Sequence, residues 1–483
     1  MRPRAALLCR TATPAAPHIP LRIAIALGVG LWLVAGMAQA DDLTDRLTRA
    51  LKQPGTQGAR VGALVVAADG TTLFAQNPTQ PLIPASNQKI LTALAALATF
   101  GPAHQFSTMV LADAPLAADG SVTSLAVRGG GDPALTSEEL WRLAADLRAL
   151  GLTHVRGELL LDDGYFDAQR WNPAWGEGSA RAYHAGVAAL TANYGSFDVT
   201  VTPPARAGAA PRVTIDPPSP FFQLDSSVRV GGDAPLSVER SAAGERERVT
   251  VAGSVRPSGT VTHIPRSVSD PVRYFGAVLR MQLAALGIQL DGPTRVAPTP
   301  SSFVELLPFQ GKPLGQVVAL LMKYSNNNIA EMLVKNLGAN AGNTPGSWSD
   351  GLGVVRQQAT AHGVDLSGVT LVDGSGLSTE NRVTPRALVD ALRAAQASFA
   401  FGPDYVAALP IAGRDGTLRT RAPAAVDAAR AKTGLLDGAA ALSGYAHTRD
   451  HGDVVFSILN NGASAGDAAA IAANDAFLEA LVR

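Results

Sequence analysis

Cysteine is almost absent from this sequence of 483 residues, which contains a single one, Cys9. One thiol excludes a framework of intramolecular disulfides. Cys9 also precedes a short apolar segment that resembles a cleaved leader, so the mature chain is expected to contain no cysteine. A cysteine nucleophile is therefore excluded.

An excess of charge of either sign is also missing, because 40 basic and 40 acidic residues give a formal net charge of zero. Nucleic-acid-binding proteins carry a basic excess or patch, so no nucleic-acid partner is expected. An apolar fraction of 47% and a charged fraction of 17% are typical of a folded chain. The length predicts two or three domains.

A long hydrophobic run is missing as well. The apolar stretch 23–37 is shorter than the roughly 20 residues that span a bilayer, which argues against the alternative of a membrane anchor. It follows several arginines with no acidic residue and precedes Ala38-Gln39-Ala40, a small-x-small cleavage pattern. The sequence predicts a signal peptide at 1–40, cleaved after Ala40, and a periplasmic or otherwise extracytoplasmic protein with at most peripheral membrane association.

Lysine is scarce, with six lysines against 34 arginines. A chain with this bias is expected to use arginine wherever only a positive charge is needed. A lysine that arginine cannot replace is one whose amine loses a proton or acts as a compact charge. Each lysine is therefore a candidate for chemistry.

The chain changes character twice along its length. Residues 41–102 combine a strand pair with an apolar helix, 103–305 are rich in glycine, proline and short strand-like segments, and helical spacing returns from 306. This order predicts a catalytic domain split into two segments, 41–102 and 306–483. The predicted insertions are a second domain made of 103–170 and 262–305, and an all-β domain at 171–261.

Ser86 begins an apolar, helix-like run that extends to about Thr99, and Lys89 follows three residues later. Positions i and i+3 share one face of a helix, so the lysine amine can reach the serine hydroxyl. A serine needs a base to act as a nucleophile at neutral pH, and lysine serves only if its pKa is lowered. The alternative is a helix-capping serine beside a solvated lysine.

Two later segments add to this pair. Ser325 and Asn327 lie in a loop before a predicted helix, where they would point a hydroxyl and an amide into one cleft. Lys432-Thr433-Gly434 supplies a cation, a hydroxyl and a glycine that permits close approach along a strand edge. All three patterns in one chain are expected about 0.01 times by chance.

Ser-x-x-Lys, Ser-x-Asn and Lys-Thr-Gly are the elements of serine β-lactamases and penicillin-binding proteins. With Gly129–Pro133, Asp373–Ser378 and Leu409–Leu418, they make the chain similar to the D-alanyl-D-alanine carboxypeptidase/endopeptidase family of low-molecular-mass class C penicillin-binding proteins, peptidase family S13. Family members have a long insertion between the first two motifs, as this chain does. The resemblance covers nearly the whole mature chain.

The resemblance implies an α/β (α+β) catalytic domain of the serine β-lactamase/transpeptidase type, split in sequence, with β-rich inserted domains. It implies a serine-type D-Ala-D-Ala carboxypeptidase (EC 3.4.16.4) that acts on peptidoglycan peptides and is inhibited by β-lactam antibiotics. Endopeptidase activity on peptide cross-links is a second activity that the family resemblance allows. No cofactor or metal is implied. The implied catalytic residues are Ser86 as nucleophile, Lys89 as base, Ser325 as proton relay and Asn327. The implied substrate-binding residues are Lys432, Thr433, Gly434 and Leu435, with the N–H groups of Ser86 and Leu435 as oxyanion hole.

This chain departs from the family pattern at two positions. Leu435 stands where relatives often have threonine or serine after Lys-Thr-Gly, and Thr379 stands where they often have arginine, with Arg382 further on. Two other functions stay open: a β-lactamase or esterase on the same scaffold, and a non-catalytic peptidoglycan-binding protein. The intact serine and lysines argue against the binding protein, because binding requires no nucleophile.

Two weaker candidates are interpreted as structural. His447 and His451 have metal-like spacing, but the residues between them indicate a surface turn. Asp162, Asp163 and Phe166 would suit a substrate subsite, but a turn at a strand end explains them better.

Overall fold

The computed structural model describes residues 42–176, 178–206 and 208–483. The predicted signal peptide at 1–40 lies outside the described residues. Among the helices of the described ranges, we find none whose length and apolar character would suit a membrane span.

The secondary structure alternates between sheet and helix in both halves of the chain. The helices are α1 (42–50), α2 (Lys89–Phe100), α3 (Ser137–Leu150), α4 (Pro271–Ala285), α5 (Leu314–Tyr324), α6 (Asn327–Asn340), α7 (Trp348–Ala361), α8 (Pro385–Ala397), α9 (Gly402–Ala408) and α10 (Asp467–Val482). The strands are β1 (Arg60–Ala67), β2 (Thr72–Gln76), β3 (Gln105–Ala112), β4 (Ser121–Val122), β5 (Leu125–Arg128), β6 (His154–Val155), β7 (Leu159–Asp162), β8 (Ser196–Thr202), β9 (Arg212–Asp216), β10 (Phe222–Ser226), β11 (Arg229–Val230), β12 (Ser237–Ala243), β13 (Arg246–Ala252), β14 (Ser254–Val255), β15 (Thr262–Ser267), β16 (Gln289–Leu290), β17 (Thr294–Val296), β18 (Val304–Pro313), β19 (Ala429–Leu436), β20 (Ala439–Thr448) and β21 (Gly452–Asn461).

A five-stranded antiparallel sheet unites the two ends of the chain, in the order β19-β20-β21-β1-β2. Successive residues of β1 pack on opposite faces, because strand side chains alternate. Leu64 and Val66 join the core formed with α2 and α5 to α8, whereas Ala63 and Val65 join the core formed with α1 and α10. Helices thus cover both faces, and each buried leucine or valine contributes about 1.5–3 kcal/mol to folding.

The insertion contains a second five-stranded sheet, in the order β17-β7-β5-β3-β18, which packs with α3 and α4 around its own core. β18 pairs with β3 and extends across the predicted boundary between 305 and 306. The strand leads directly into α5, so no loop separates this sheet from the helix that follows.

Between α3 and α4 the chain forms small sheets, in the orders β15-β8-β9 and β10-β13-β12, with the pair β11-β14. β15 spans 262–267, so this β-rich region continues past the predicted limit at 261, because β8 pairs with β15 along its length. The sequence pattern weakens here because Pro265 interrupts the strand.

Candidate active site

The residues before α2 form a tight turn that carries Ser86. A short 3₁₀ turn, Ala85–Gln88, leads into α2, and Ser86 makes no capping hydrogen bond at either start. The cap interpretation of Ser86 is therefore wrong. Asn461 anchors the turn to β21, because its side chain accepts from the N–H of Ile83 at 2.7 Å and donates to the carbonyl of Ile83 at 3.1 Å.

Two glycines let other segments pack against this turn. A Cβ on Gly376 would lie 1.8 Å from the carbonyl oxygen of Ala85, and Gly376 has a φ of +80°. A Cβ on Gly434 would lie 2.8 Å from the carbonyl oxygen of Pro84. Gly434 therefore permits contact between β19 and the turn of the protein itself, whereas the sequence interpretation had assigned its close approach to substrate.

Lys89 points from the first turn of α2 into a fully buried position between three oxygen atoms. Its Nζ lies 2.9 Å from Ser86 Oγ, 2.7 Å from Asn327 Oδ1 and 2.7 Å from the carbonyl oxygen of Ser375. A neutral amine has two N–H groups and one lone pair. Because Asn327 Oδ1 and the Ser375 carbonyl can only accept, they take the two N–H groups and leave the lone pair for the Ser86 hydroxyl.

Burial lowers the pKa of Lys89 to about 7, while the negative charges of Glu331 and Asp373 act in the opposite direction. The amine is therefore in part deprotonated at neutral pH, as a general base requires. Burial, together with the charge of Asp373, raises the pKa of Glu331 to about 7.

Ser325 ends α5 with a left-handed backbone, φ +57°. Asn326 then caps α6, because its side-chain oxygen accepts from the N–H of Ile329 at 3.0 Å. Because Asn326 caps the helix, the side chain of Asn327 can face the cleft, where its Nδ2 donates to the carbonyl of Tyr183 at 3.1 Å. The amide of Asn327 thus joins Lys89 to a segment of the insertion.

Lys432 lies on β19, fully buried, and its amine donates to Ser325 Oγ at 2.9 Å and to the carbonyl of Thr433 at 2.7 Å. Burial, with a contribution from the charge of Lys89, lowers the pKa of Lys432 well below its usual value. Leu435 is 51% exposed and Thr433 faces Thr417. The structure therefore brings all eight predicted residues into one cluster.

Thr417 is a residue that the sequence analysis did not single out. Its hydroxyl accepts from the Thr433 hydroxyl at 2.7 Å. It lies within Leu409–Leu418, a segment noted only for its resemblance to relatives, so the chain offered no chemical signal for it.

The loop at 373–378 was noted only for its resemblance to relatives, and the structure shows that it also positions Lys89. Glu331 accepts from the N–H groups of Gly374 and Ser375 at 3.0 and 2.7 Å and from Trp348 Nε1 at 2.8 Å. Asp373 accepts from the N–H groups of Gly376 and Ser378 at 2.7 and 2.6 Å. These buried carboxylates hold the loop so that its Ser375 carbonyl meets Lys89. Glu331 could have been found from the sequence, because it is the single acidic residue within the apolar run Ile329–Val334.

Residues of the insertion also brace this loop. Trp175 Nε1 donates to Asp373 Oδ2 at 3.0 Å, and Asn172 Nδ2 donates to the carbonyl of Val372 at 2.7 Å. Near the position where relatives often have arginine, Thr379 is exposed and Arg382 donates to the carbonyls of Thr379 and Asn381 at 2.6 and 2.8 Å. The Arg382 guanidinium therefore stabilises its own loop.

The weaker sequence candidates lie elsewhere and have structural partners. His447 pairs with Asp453 across the β20–β21 hairpin, and the described residues hold no cluster of histidine and acidic side chains suited to a metal. Asp163 accepts from the N–H of Leu190 at 2.8 Å, and Asp162 accepts from the N–H of Thr299 at 2.8 Å. Asp162 also accepts from the N–H of Gly164 at 3.2 Å, a short-range bond of the turn that was expected at the end of β7.

The site has the parts of a serine acyl-transfer centre. A partly exposed hydroxyl lies beside a buried amine of lowered pKa, and a second hydroxyl, on Ser325, contacts a second lysine. These groups can form and break an ester on Ser86.

Comparisons with known proteins agree with this chemistry. Residues 43–481 match the model of the D-Ala-D-Ala carboxypeptidase 3 (S13) family. The chain is 35% identical to a D-alanyl-D-alanine carboxypeptidase of Actinomadura sp. (strain R39), over 92% of this chain and 86% of the relative. It is 27% identical to D-alanyl-D-alanine carboxypeptidase DacB of Haemophilus influenzae, over 88% of each chain.

Solved structures show the same fold. Penicillin-binding protein 4 (dacB) from Haemophilus influenzae superposes with a TM-score of 0.76 and 26% identity, over 91% of this chain and 97% of that one. The same Haemophilus protein in complex with a β-lactam superposes with a TM-score of 0.71. The predicted α/β catalytic domain with insertions is thereby confirmed. The chain belongs to the D-Ala-D-Ala carboxypeptidase 3 (S13) family.

Proposed function

We propose that this protein is a penicillin-binding serine D,D-peptidase that removes the terminal D-alanine from peptidoglycan peptides through an acyl-enzyme on Ser86. The observation that carries the proposal is the Lys89 amine, with a pKa of about 7 and its Nζ 2.9 Å from Ser86 Oγ. Membership of the family and the names of the relatives support the substrate class.

In the acylation step, Ser86 Oγ attacks the carbonyl between the two terminal D-alanines while its proton passes to Lys89 Nζ. The C–O bond forms, the carbonyl oxygen becomes an oxyanion, and the N–H groups of Ser86 and Leu435 stabilise it. The hydrogen bonds from the Lys89 amine to Asn327 Oδ1 and to the Ser375 carbonyl keep the amine oriented throughout. Proton transfer therefore requires little reorganisation of the site.

Collapse of the intermediate breaks the C–N bond and releases D-alanine, whose nitrogen needs a proton. Ser325 donates its proton to this nitrogen and regains one from Lys89, while the Lys432 amine that donates to Ser325 Oγ keeps this hydroxyl oriented. Lys432, Thr433 and Thr417 surround the position assigned to the terminal carboxylate. Water then attacks the ester, with Lys89 as base, and frees Ser86.

The protein is further proposed to act outside the cytoplasm. Peptidoglycan peptides lie there, and the arginines, apolar stretch and Ala38-Gln39-Ala40 pattern of the first forty residues support export with cleavage after Ala40. Amino-terminal sequencing of the exported protein tests this assignment, and a start at Asp41 is expected.

The function is tested by incubating the enzyme with a soluble peptide that ends in D-Ala-D-Ala and measuring free D-alanine. Release from this peptide, and none from the same peptide ending in D-Ala-L-Ala, is expected. A cross-linked dimeric peptide measures endopeptidase activity separately, as conversion of the dimer to monomers, because cleavage of the cross-link releases no free D-alanine. Failure to cleave either peptide, combined with rapid turnover of penicillin, would instead support the β-lactamase alternative.

The rate of acylation by penicillin is expected to rise with pH through about 7 and then level off. Lys89 accepts a proton only when neutral, and burial lowers its pKa to about 7. Glu331→Gln removes a negative charge that raises the pKa of Lys89, so the rise should move to lower pH. Stopped-flow acylation between pH 5 and 9, roughly two units either side of that pKa, gives the profile.

Glu331→Gln also turns one acceptor oxygen into a donor that faces the loop N–H groups, so the maximum rate should fall. Glu380→Gln, at an exposed acid near the same loop, is the matched control and should retain the wild-type profile. An unshifted profile in Glu331→Gln would contradict the electrostatic link to Lys89.

A further inference from the structure

A groove distant in sequence from the catalytic motifs lies between α4, β17 and the β-rich part of the insertion. Its volume is about 510 Å³, within the range of binding pockets of small ligands. Its apolar lining includes Met281 and Val296, and Val296 is 49% exposed. Arg246, Arg273 and Arg280 also line it, against a single acidic residue, Glu245.

One of these arginines is neutralised and two are not. Arg273 pairs with Glu245 at 2.7 Å and with Asp270 at 3.3 Å. Arg246 donates to the carbonyls of Pro220 and Phe222 at 2.8 and 3.2 Å. Arg280 donates to the carbonyls of Gly292 and Leu290 at 2.9 and 3.1 Å and to the hydroxyl of Thr294 at 3.2 Å.

Backbone carbonyls orient a guanidinium without cancelling its charge. In the part of the chain that the structure describes, no carboxylate accepts from Arg246 or Arg280. Arg246 has an Nη1 group and Arg280 an Nε group that make none of these bonds. A side chain that is already oriented loses less conformational entropy when a ligand binds. The planar guanidinium matches the geometry of a carboxylate in particular.

We propose that this groove binds a carboxylate-terminated peptide stem of peptidoglycan, separate from the stem that occupies the Ser86 site. Such a stem has the two features that the groove matches, because its D-alanine end carries a carboxylate for the arginines and methyl groups for the apolar lining. The inference rests on the proposed function, since it takes the polymer as substrate. Its consequence is that the enzyme holds one stem of the polymer while it cleaves another.

The test measures binding of the full chain to insoluble peptidoglycan by co-sedimentation at low ionic strength, with Ser86→Ala present in every variant so that the polymer is not cut. Arg246→Gln is expected to weaken binding about threefold, and Arg246→Gln with Arg280→Gln about tenfold. Arg248→Gln is the matched control, because Arg248 lies on the same strand, pairs with Asp225 at 3.4 Å and does not line the groove. It should bind as the parent does.

A change in the ligand tests the same contact without altering the protein. Amidation of the peptidoglycan carboxylates also weakens the contact of the terminal carboxylate with Lys432 and Thr433 in every variant. The parent should therefore lose about tenfold more affinity on amidation than the double variant does. If Arg280→Gln lowers the melting temperature, Arg246→Gln and the amidated polymer still decide the result. An equal loss of affinity on amidation in the parent and in the double variant, or parental binding by Arg246→Gln, overturns the proposal.

Release of D-alanine from a soluble peptide, measured with Ser86 intact, separates the two proposals. The groove variants should retain parental activity on the soluble peptide and lose activity on the polymer. No release by the parent itself would refute the proposed function, whereas an unchanged ratio of polymer to peptide activity in the groove variants would refute the groove.

Discussion

Ser86→Ala is expected to abolish the covalent adduct that penicillin forms with this protein. The hydroxyl of Ser86 is the group that would become the ester, and no cysteine in the described residues could replace it. Removal of the nucleophile from a serine hydrolase lowers turnover by about 10⁶-fold, so hydrolysis of a D-Ala-D-Ala peptide should become undetectable as well. Intact-protein mass spectrometry after incubation with penicillin measures the adduct directly.

A suitable control is Ser301→Ala, since Ser301 is an exposed serine of the insertion. The adduct of this control should form at the wild-type rate. Ser86→Ala removes only one of the three oxygen atoms around Lys89, and the other two remain in place. The variant should therefore fold, as a thermal melt would verify, and an undiminished adduct would rule out Ser86 as the nucleophile.

Lys89→Ala is expected to lower the acylation rate about 10²- to 10⁴-fold, the range of a lost general base. Loss of a solvated surface lysine would change this rate little. Stopped-flow measurement of acylation by a chromogenic β-lactam distinguishes the two results. Lys52→Ala supplies the surface control, because Lys52 is exposed after the first helix.

A second substitution separates the chemical effect from the cavity that alanine leaves. Lys89→Met retains most of the side-chain volume but supplies no lone pair of suitable basicity. If Lys89 is the base, Lys89→Met and Lys89→Ala should be slow to a similar degree. Acylation of the methionine variant at the wild-type rate would remove Lys89 from the proton-transfer role and leave it a packing role only.

Local sequence patterns predicted the elements that carry the site, because their signals are short in range. The apolar run after Ser86 became α2, and the strand pair predicted within 41–102 became β1 and β2. Domain limits were less predictable. β15 and β18 extend past the expected boundaries because each pairs with a strand distant along the chain, β8 and β3.

The three motifs by themselves determined the class of chemistry: a serine, two lysines, and a hydroxyl with an amide, in a chain that otherwise avoids lysine and contains almost no cysteine. Residue types and spacing suffice for this, since they specify which bonds can form. Only the tertiary structure decided how Lys89 becomes a base. The Ser375 carbonyl accepts from its amine across 286 positions of the chain, and Glu331 and Asp373 hold the loop that carries this carbonyl. Burial, which lowers the pKa of Lys89, exists only after the sheet and helices have packed.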